Sequence, residues 1–176
     1  PGQIRFRGIR LRGDGLAVDA LGGIADLTKP EVNILARARM RGEDLDRYFG
    51  AGVPLSGPVS AVASVRVPRG GGFRVRGRFE IGAGGRFGPF PMTGEGSIRV
   101  DPDGLLAHVA RAEYAGGRLE ALVQLGRLKG PPLPVRIAVS GSGVDFETFF
   151  ADLGLPGTGL MASTDLDVTL TFGPGG

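Results

Sequence analysis

The chain has 176 residues, 41% of them hydrophobic, which supports a real core and excludes a disordered segment. It has no cysteine and a single histidine, His108, which excludes disulfides, thiolate nucleophiles and any histidine-based metal cluster, and no cofactor is expected. The net charge of +3 rests on arginines that alternate with apolar residues, the habit of a solvated sheet face and not of a nucleic-acid-binding patch, so no nucleic-acid partner is expected.

The predicted elements begin at residues 4 to 12, where apolar and basic residues alternate with the period of two that puts successive side chains on opposite faces of a strand. Asp14-Gly15 follows as a hairpin signal, because both residues tolerate the positive φ of a tight turn. In residues 32 to 41, Val32, Ile34, Ala36, Ala38 and Met40 fall on one side and Asn33, Arg37, Arg39 and Arg41 on the other. The period then changes. Leu45, Tyr48 and Phe49 stand at i, i+3 and i+4 behind Asp44, which predicts a short amphipathic helix with Asp44 as its N-cap.

Alternation returns at 59 to 67, with Val59, Ala61, Ala63, Val65 and Val67 inward, and at 73 to 81, with Phe73, Val75, Phe79 and Ile81 opposed to Arg74, Arg76, Arg78 and Glu80. Gly82-x-Gly84-Gly85-x-x-Gly88 has the look of a phosphate loop, but Phe87, Pro89, Phe90 and Pro91 cannot open the helix that such a site needs, so it is read as a loop or glycine-rich bulge. Further strands are predicted at 96 to 101, 105 to 114, 118 to 125 and 134 to 140. Their apolar positions include Leu119, Val123, Val135, Ile137 and Val139, with turns at Asp103-Gly104 and Gly116-Gly117. His108 lies inside one such run and reads as a surface or structural imidazole, with no catalytic base or other enzymatic apparatus in view. A second helix is predicted where Phe146, Phe149, Phe150 and Leu153 recur behind Asp145, followed by a strand at 164 to 172 with Leu166, Val168 and Leu170 inward.

An internal repeat joins the two helices. Residues of about 32–67 and 134–172 both run strand, glycine, aspartate, helix, Leu/Pro/Gly turn, strand, and Gly42 and Asp44 align with Gly143 and Asp145. The chain starts at Pro1, ends at Gly175-Gly176 and has no 18-residue apolar run, and is read as one β-rich segment of a longer protein.

Asp44-Leu45-Asp46-Arg47-Tyr48-Phe49 followed by Val53-Pro54-Leu55-Ser56-Gly57-Pro58-Val59 is similar to the repeated segments of AsmA and TamB-like proteins. So is Val144-Asp145-Phe146-Glu147-Thr148-Phe149-Phe150 followed by Leu155-Pro156 and Gly159, and the hairpin at Tyr114-Ala115-Gly116-Gly117 resembles that family's strand-Gly-Gly-strand unit. The resemblance implies a periplasmic envelope protein anchored in the inner membrane through a region outside this chain, with a long β-sheet groove that carries phospholipid between the membranes. TamB-like members are also linked to outer-membrane protein assembly through a β-barrel partner, which supplies the alternative of a scaffold working by strand pairing. The expected fold is thus all-β with minor α, a curved antiparallel sheet forming a β-taco-like groove or a sandwich, with two short amphipathic helices.

On this reading Val32, Ile34, Ala36, Met40, Val59, Ala61, Ala63, Val65, Phe73, Val75, Phe79, Leu119, Val123, Val135, Ile137, Val139, Leu166, Val168 and Leu170 line the groove, and Leu45, Tyr48, Phe49, Phe146, Phe149 and Phe150 pack on the sheet or cap it. Each methylene taken from water into such a lining is worth about 0.8 kcal/mol, whereas transfer from a bilayer is nearly neutral, a balance that permits release as well as uptake. Two sheets sealed against each other would give the same periodicity.

Overall fold

A computed structural model describes residues 2–49, 54–126, 135–157, 159 and 162–172. In chain order the elements are β1 (Ile4–Gly13), β2 (Leu16–Ala25), β3 (Glu31–Arg41), α1 (Asp44–Phe49), β4 (Leu55–Ser56), β5 (Pro58–Val67) and β6 (Arg74–Ile81). Then come β7 (Arg86–Phe87), β8 (Phe90–Pro91), β9 (Thr93–Asp101), β10 (Gly104–Tyr114), β11 (Gly117–Leu125), β12 (Val135–Asp145), α2 (Phe146–Asp152) and β13 (Ser163–Phe172). The ten long strands form one antiparallel sheet in the order β1-β2-β3-β5-β6-β9-β10-β11-β12-β13, and the three two-residue strands form a small second sheet, β4-β7-β8.

The large sheet is not closed into a barrel, and no second large sheet covers it among the described residues. The protein is therefore an all-β curved sheet with minor helix, and the sandwich alternative falls away. Bulges interrupt the pairing in β1 between Phe6 and Ile9, in β10 between Val109 and Ala112, and between β12 and β13 at Gly141 to Val144. An extra residue in one strand of a pair sharpens the local twist and bends the strand, which curves the sheet.

Because neighbouring strands alternate in direction, connections gather at two ends. Both helices, the small sheet and the hairpin turns at 14–15 and 115–116 lie at one end, called here the capped end; the loops at 26–30, 68–73 and 102–103 lie at the other.

The small sheet β4-β7-β8 was not predicted, and further features differ from the sequence reading. Strand β2 was not predicted, since Ala17 and Leu21 put apolar residues on its outward side and Gly22-Gly23 interrupts it. Those glycines admit the neighbouring strands: a Cβ at Gly22 would lie 2.1 Å from the Asn33 carbonyl oxygen, and one at Gly23 would lie 2.6 Å from that of Ile4. The turns also shift. Asp14-Gly15 is the loop of the first hairpin as expected, but Ala115-Gly116 replaces Gly116-Gly117, and Pro102-Asp103 replaces Asp103-Gly104, with Asp101 accepting the Asp103 amide at 3.0 Å. Asp44 is the first residue of α1 and not its flanking cap, whereas Asp145 caps α2 as predicted.

Candidate functional site

The pairing register decides where the apolar positions meet. One row across all ten strands reads Leu11, Val18, Ala38, Ala61, Phe79, Gly96, Val109, Ala121, Val139, Val168. The next reads Ile9, Ala20, Ala36, Ala63, Gly77, Ile98, Ala107, Val123, Ile137, Leu170, and a third Phe6, Gly22, Ile34, Val65, Val75, Val100, Leu105, Leu125, Val135, Phe172. None of these thirty positions holds a charged or polar residue. A fourth row nearer the capped end, through Leu16, Met40, Val59, Ile81, Ala112 and Leu119, continues the pattern.

Nine strand spacings and eight residues of strand give this face a footprint on the order of 1,000 Å². Ordinary monomers expose contiguous apolar patches of a few hundred Å². Among the described residues five apolar side chains are buried, Val59, Ile81, Ala112, Tyr114 and Val144, and all stand toward the capped end. Elsewhere Val32, Ile34, Ala36, Ala61, Ala63, Val65, Val75, Phe79, Val123, Ile137 and Val139 are only half-buried, shielded by their neighbours in the sheet. At the two edge strands the face is open, with Leu11 57%, Ile9 40% and Val168 36% exposed. Phe73 stands just before β6, half-buried. The side chains of Val135, Leu166, Leu170, Tyr48 and Phe49 lie outside the described ones.

The capped end is built around α2. Asp145, in extended conformation, accepts hydrogen bonds from the Thr148 hydroxyl at 2.6 Å and the Thr148 amide at 2.8 Å, which holds its carboxyl below the usual aspartate range. The helix sets Phe149 against Phe90 of β8, with Phe150 against both Phe149 and Phe146. Phe90 stacks on Phe149 at 5.8 Å and meets Tyr114 edge-on at 5.5 Å, and the Phe146 and Phe150 rings lie 4.5 Å apart. The Tyr114 hydroxyl donates to Asp152 Oδ2 at 3.0 Å; burial first, and then the Asp152 carboxylate, push its pKa up. Leu153 falls past the helix and is exposed. In α1, Leu45 is half-buried. Sequence reasoning missed Phe90 and Tyr114 as members of this cluster; the closely spaced Phe87 and Phe90 in a glycine-rich stretch were the available signal.

The opposite face carries the arginines, with Leu21, Leu35, Val62 and Leu106 as scattered exposed apolar residues. His108 belongs to this face and pairs with Glu120 across β10 and β11. The glycine-rich loop spends its amides internally, Gly85 on Gly82, Gly88 on Pro54 and Met92 on Gly85, so these donors are not offered to a phosphate. No cluster of metal-ligating side chains occurs among the described residues, and no helix among them is long and apolar enough to cross a membrane.

No protein-family model matches the chain, and no curated protein or solved structure is found to be similar to it.

Proposed function

We propose that this chain is a non-enzymatic lipid-binding and lipid-transport segment of a bacterial envelope protein, its apolar face sheltering phospholipid acyl chains in the periplasm. The observation that carries the reading is the uncharged face spanning ten strands with no second large sheet sealing it among the described residues. Transfer from water favours acyl chains on such a face by about 0.8 kcal/mol per methylene, while the open sides let a chain slide along the rows and leave. The resemblance of the sequence motifs to AsmA and TamB-like proteins supports the same reading, and the proposed envelope location and inner-membrane anchor rest on it alone.

Adjacent residues give the test. Ala63 lies on the apolar face and Val62 on the other, so a photocrosslinker at Ala63 captures phospholipid, identified by mass spectrometry of the purified adduct, and one at Val62 does not. Equal lipid capture from both positions, or none from Ala63, would overturn the proposal. A scaffold that pairs strands with an outer-membrane barrel is the second reading, favoured by β1 and β13, each paired on one side only among the described residues. It predicts adducts with a barrel protein from β1 or β13 and none with lipid from Ala63.

A further inference from the structure

We infer that the two outermost strands of this chain's sheet fit each other, so that β13 of one copy takes β1 of a second copy as its next strand. The template for this pairing lies inside the chain. In the large sheet the order β1-β2-β3-β5, with α1 between β3 and β5, recurs as β10-β11-β12-β13, with α2 between β12 and β13. Gly15 and Gly116 hold the equivalent hairpin turns at φ +73° and +75°, both β1 and β10 are bulged, and Glu43 and Glu147 accept the amides of the equivalent Gly57 and Gly159 at 2.8 and 3.1 Å. Strand β13 therefore stands where β5 stands in the first copy of the motif.

The outer edge of β5 is occupied by β6, entered through Phe73-Arg74-Val75-Arg76-Gly77. Strand β1 opens with Ile4-Arg5-Phe6-Arg7-Gly8, apolar, basic, apolar, basic, glycine in the same order. Among the described residues β1 pairs only with β2 and β13 only with β12. Ten alternating strands leave β13 running opposite to β1, so a second copy placed beside β13 in the same orientation meets it antiparallel, with both apolar faces on one side.

Charge selects the partner and the register. Strand β13 carries Asp165 and Asp167 and no basic residue, and its inner neighbour sets Ser140 opposite Asp167. Strand β1 carries Arg5, Arg7, Arg10 and Arg12 and no acid, and Arg10 and Arg12 share one carboxylate, Asp19, at 3.7 and 3.2 Å. Setting Asp167 opposite Arg10 and Asp165 opposite Arg12 also places Val168 against Ile9, both exposed residues of the apolar face. Two basic edges or two acidic edges repel, so the contact is head-to-tail; unless its rotation closes a ring, it adds copies without limit. The inference does not depend on what occupies the apolar face.

Sedimentation of the purified chain tests it with two charge-reversed variants, Asp165→Arg/Asp167→Arg and Arg10→Asp/Arg12→Asp. The unaltered chain forms a concentration-dependent series of dimer, trimer and larger species. Each variant alone, setting like charges opposite each other at these two positions, associates about tenfold or more weakly. Mixing the two variants restores the series, which excludes misfolding as the cause of the loss. An unaltered chain that stays monomeric at millimolar concentration, a closed dimer, or variants that assemble as the unaltered chain does would each overturn the inference.

Discussion

Tyr114, near the turn between β10 and β11, hydrogen-bonds through its hydroxyl to Asp152 in the last turn of α2, and this contact helps tie the helix to the sheet end it covers. Tyr114 is 4% exposed, so the phenol has exchanged water for a single carboxylate. Tyr114→Phe keeps the ring against Phe90 and removes the donor. Hydrogen bonds to charged groups are worth about 1.5–3 kcal/mol, and with Asp152 half-buried the expected loss is about 1–2 kcal/mol, read as a lower thermal midpoint of unfolding.

The same tyrosine gives the capped end an alkaline limit. Its folded pKa is raised, so its contribution is complete below the unfolded tyrosine value of about 10 and is lost as pH climbs from there toward the folded pKa. Thermal unfolding followed from pH 8 to 11 shows a decline in the unaltered protein that is reduced in Tyr114→Phe.

Asp145 sets an acid limit by the opposite sign. Its folded pKa is lowered by the Thr148 hydroxyl and amide, so its contribution is present above the unfolded aspartate value of about 3.9 and is lost as pH falls through the folded pKa. Asp145→Ala lowers the thermal midpoint at pH 7, and the gap between variant and parent narrows as pH is lowered from 5 to 3. Asp145→Asn, which retains an acceptor for the Thr148 amide, loses less at pH 7.

The Ala115-Gly116 turn offers a gain. Ala115 sits at φ +48°, a left-handed conformation that costs a residue with a Cβ about 1–2 kcal/mol, and Gly116 follows at +75°. Two consecutive positive φ angles are those of a type I′ turn, for which Asn-Gly is the favoured pair. Ala115→Asn is expected to stabilise the hairpin by up to about 1 kcal/mol, read as a rise in the thermal midpoint with the fold unchanged.

Gly96 tests the packing of the apolar face itself. A Cβ there would lie 2.6 Å from Cζ of Phe79 and 2.3 Å from the His108 carbonyl oxygen, so the Phe79 ring lies against the glycine. Gly96→Ala is expected to cost about 1–3 kcal/mol by overpacking. Adding Phe79→Leu recovers the share due to the ring and leaves the share due to the backbone.

Strands such as β3 and β6 were legible because arginines alternate with apolar residues along most of each, and α2 was legible because Asp145 and three phenylalanines mark its cap and its face. Strand β2 was not, since Leu21 and the glycine pair blur its alternation; Leu35 and Val62, apolar yet turned to the arginine side, show the same ambiguity at single positions. Cross-strand register was beyond reach for a different reason. Periodicity says which face a residue takes within its own strand, but Val18, Ala61 and Val139 share a row only because turn lengths and bulges far from them set each strand's offset. The aromatic cluster joins Phe90, Tyr114 and Phe149, and no local pattern connects residues so distant in the chain.

Those rows also limit how the gene can change. Losing one codon within a central strand would roll every later side chain of that strand to the other surface, setting arginines into the water-shunning strip and cutting it in two. Lengthening by a whole up-and-down pair of strands leaves the parity intact, so an architecture of this kind is free to grow in units of hairpins and closed to growth by single residues.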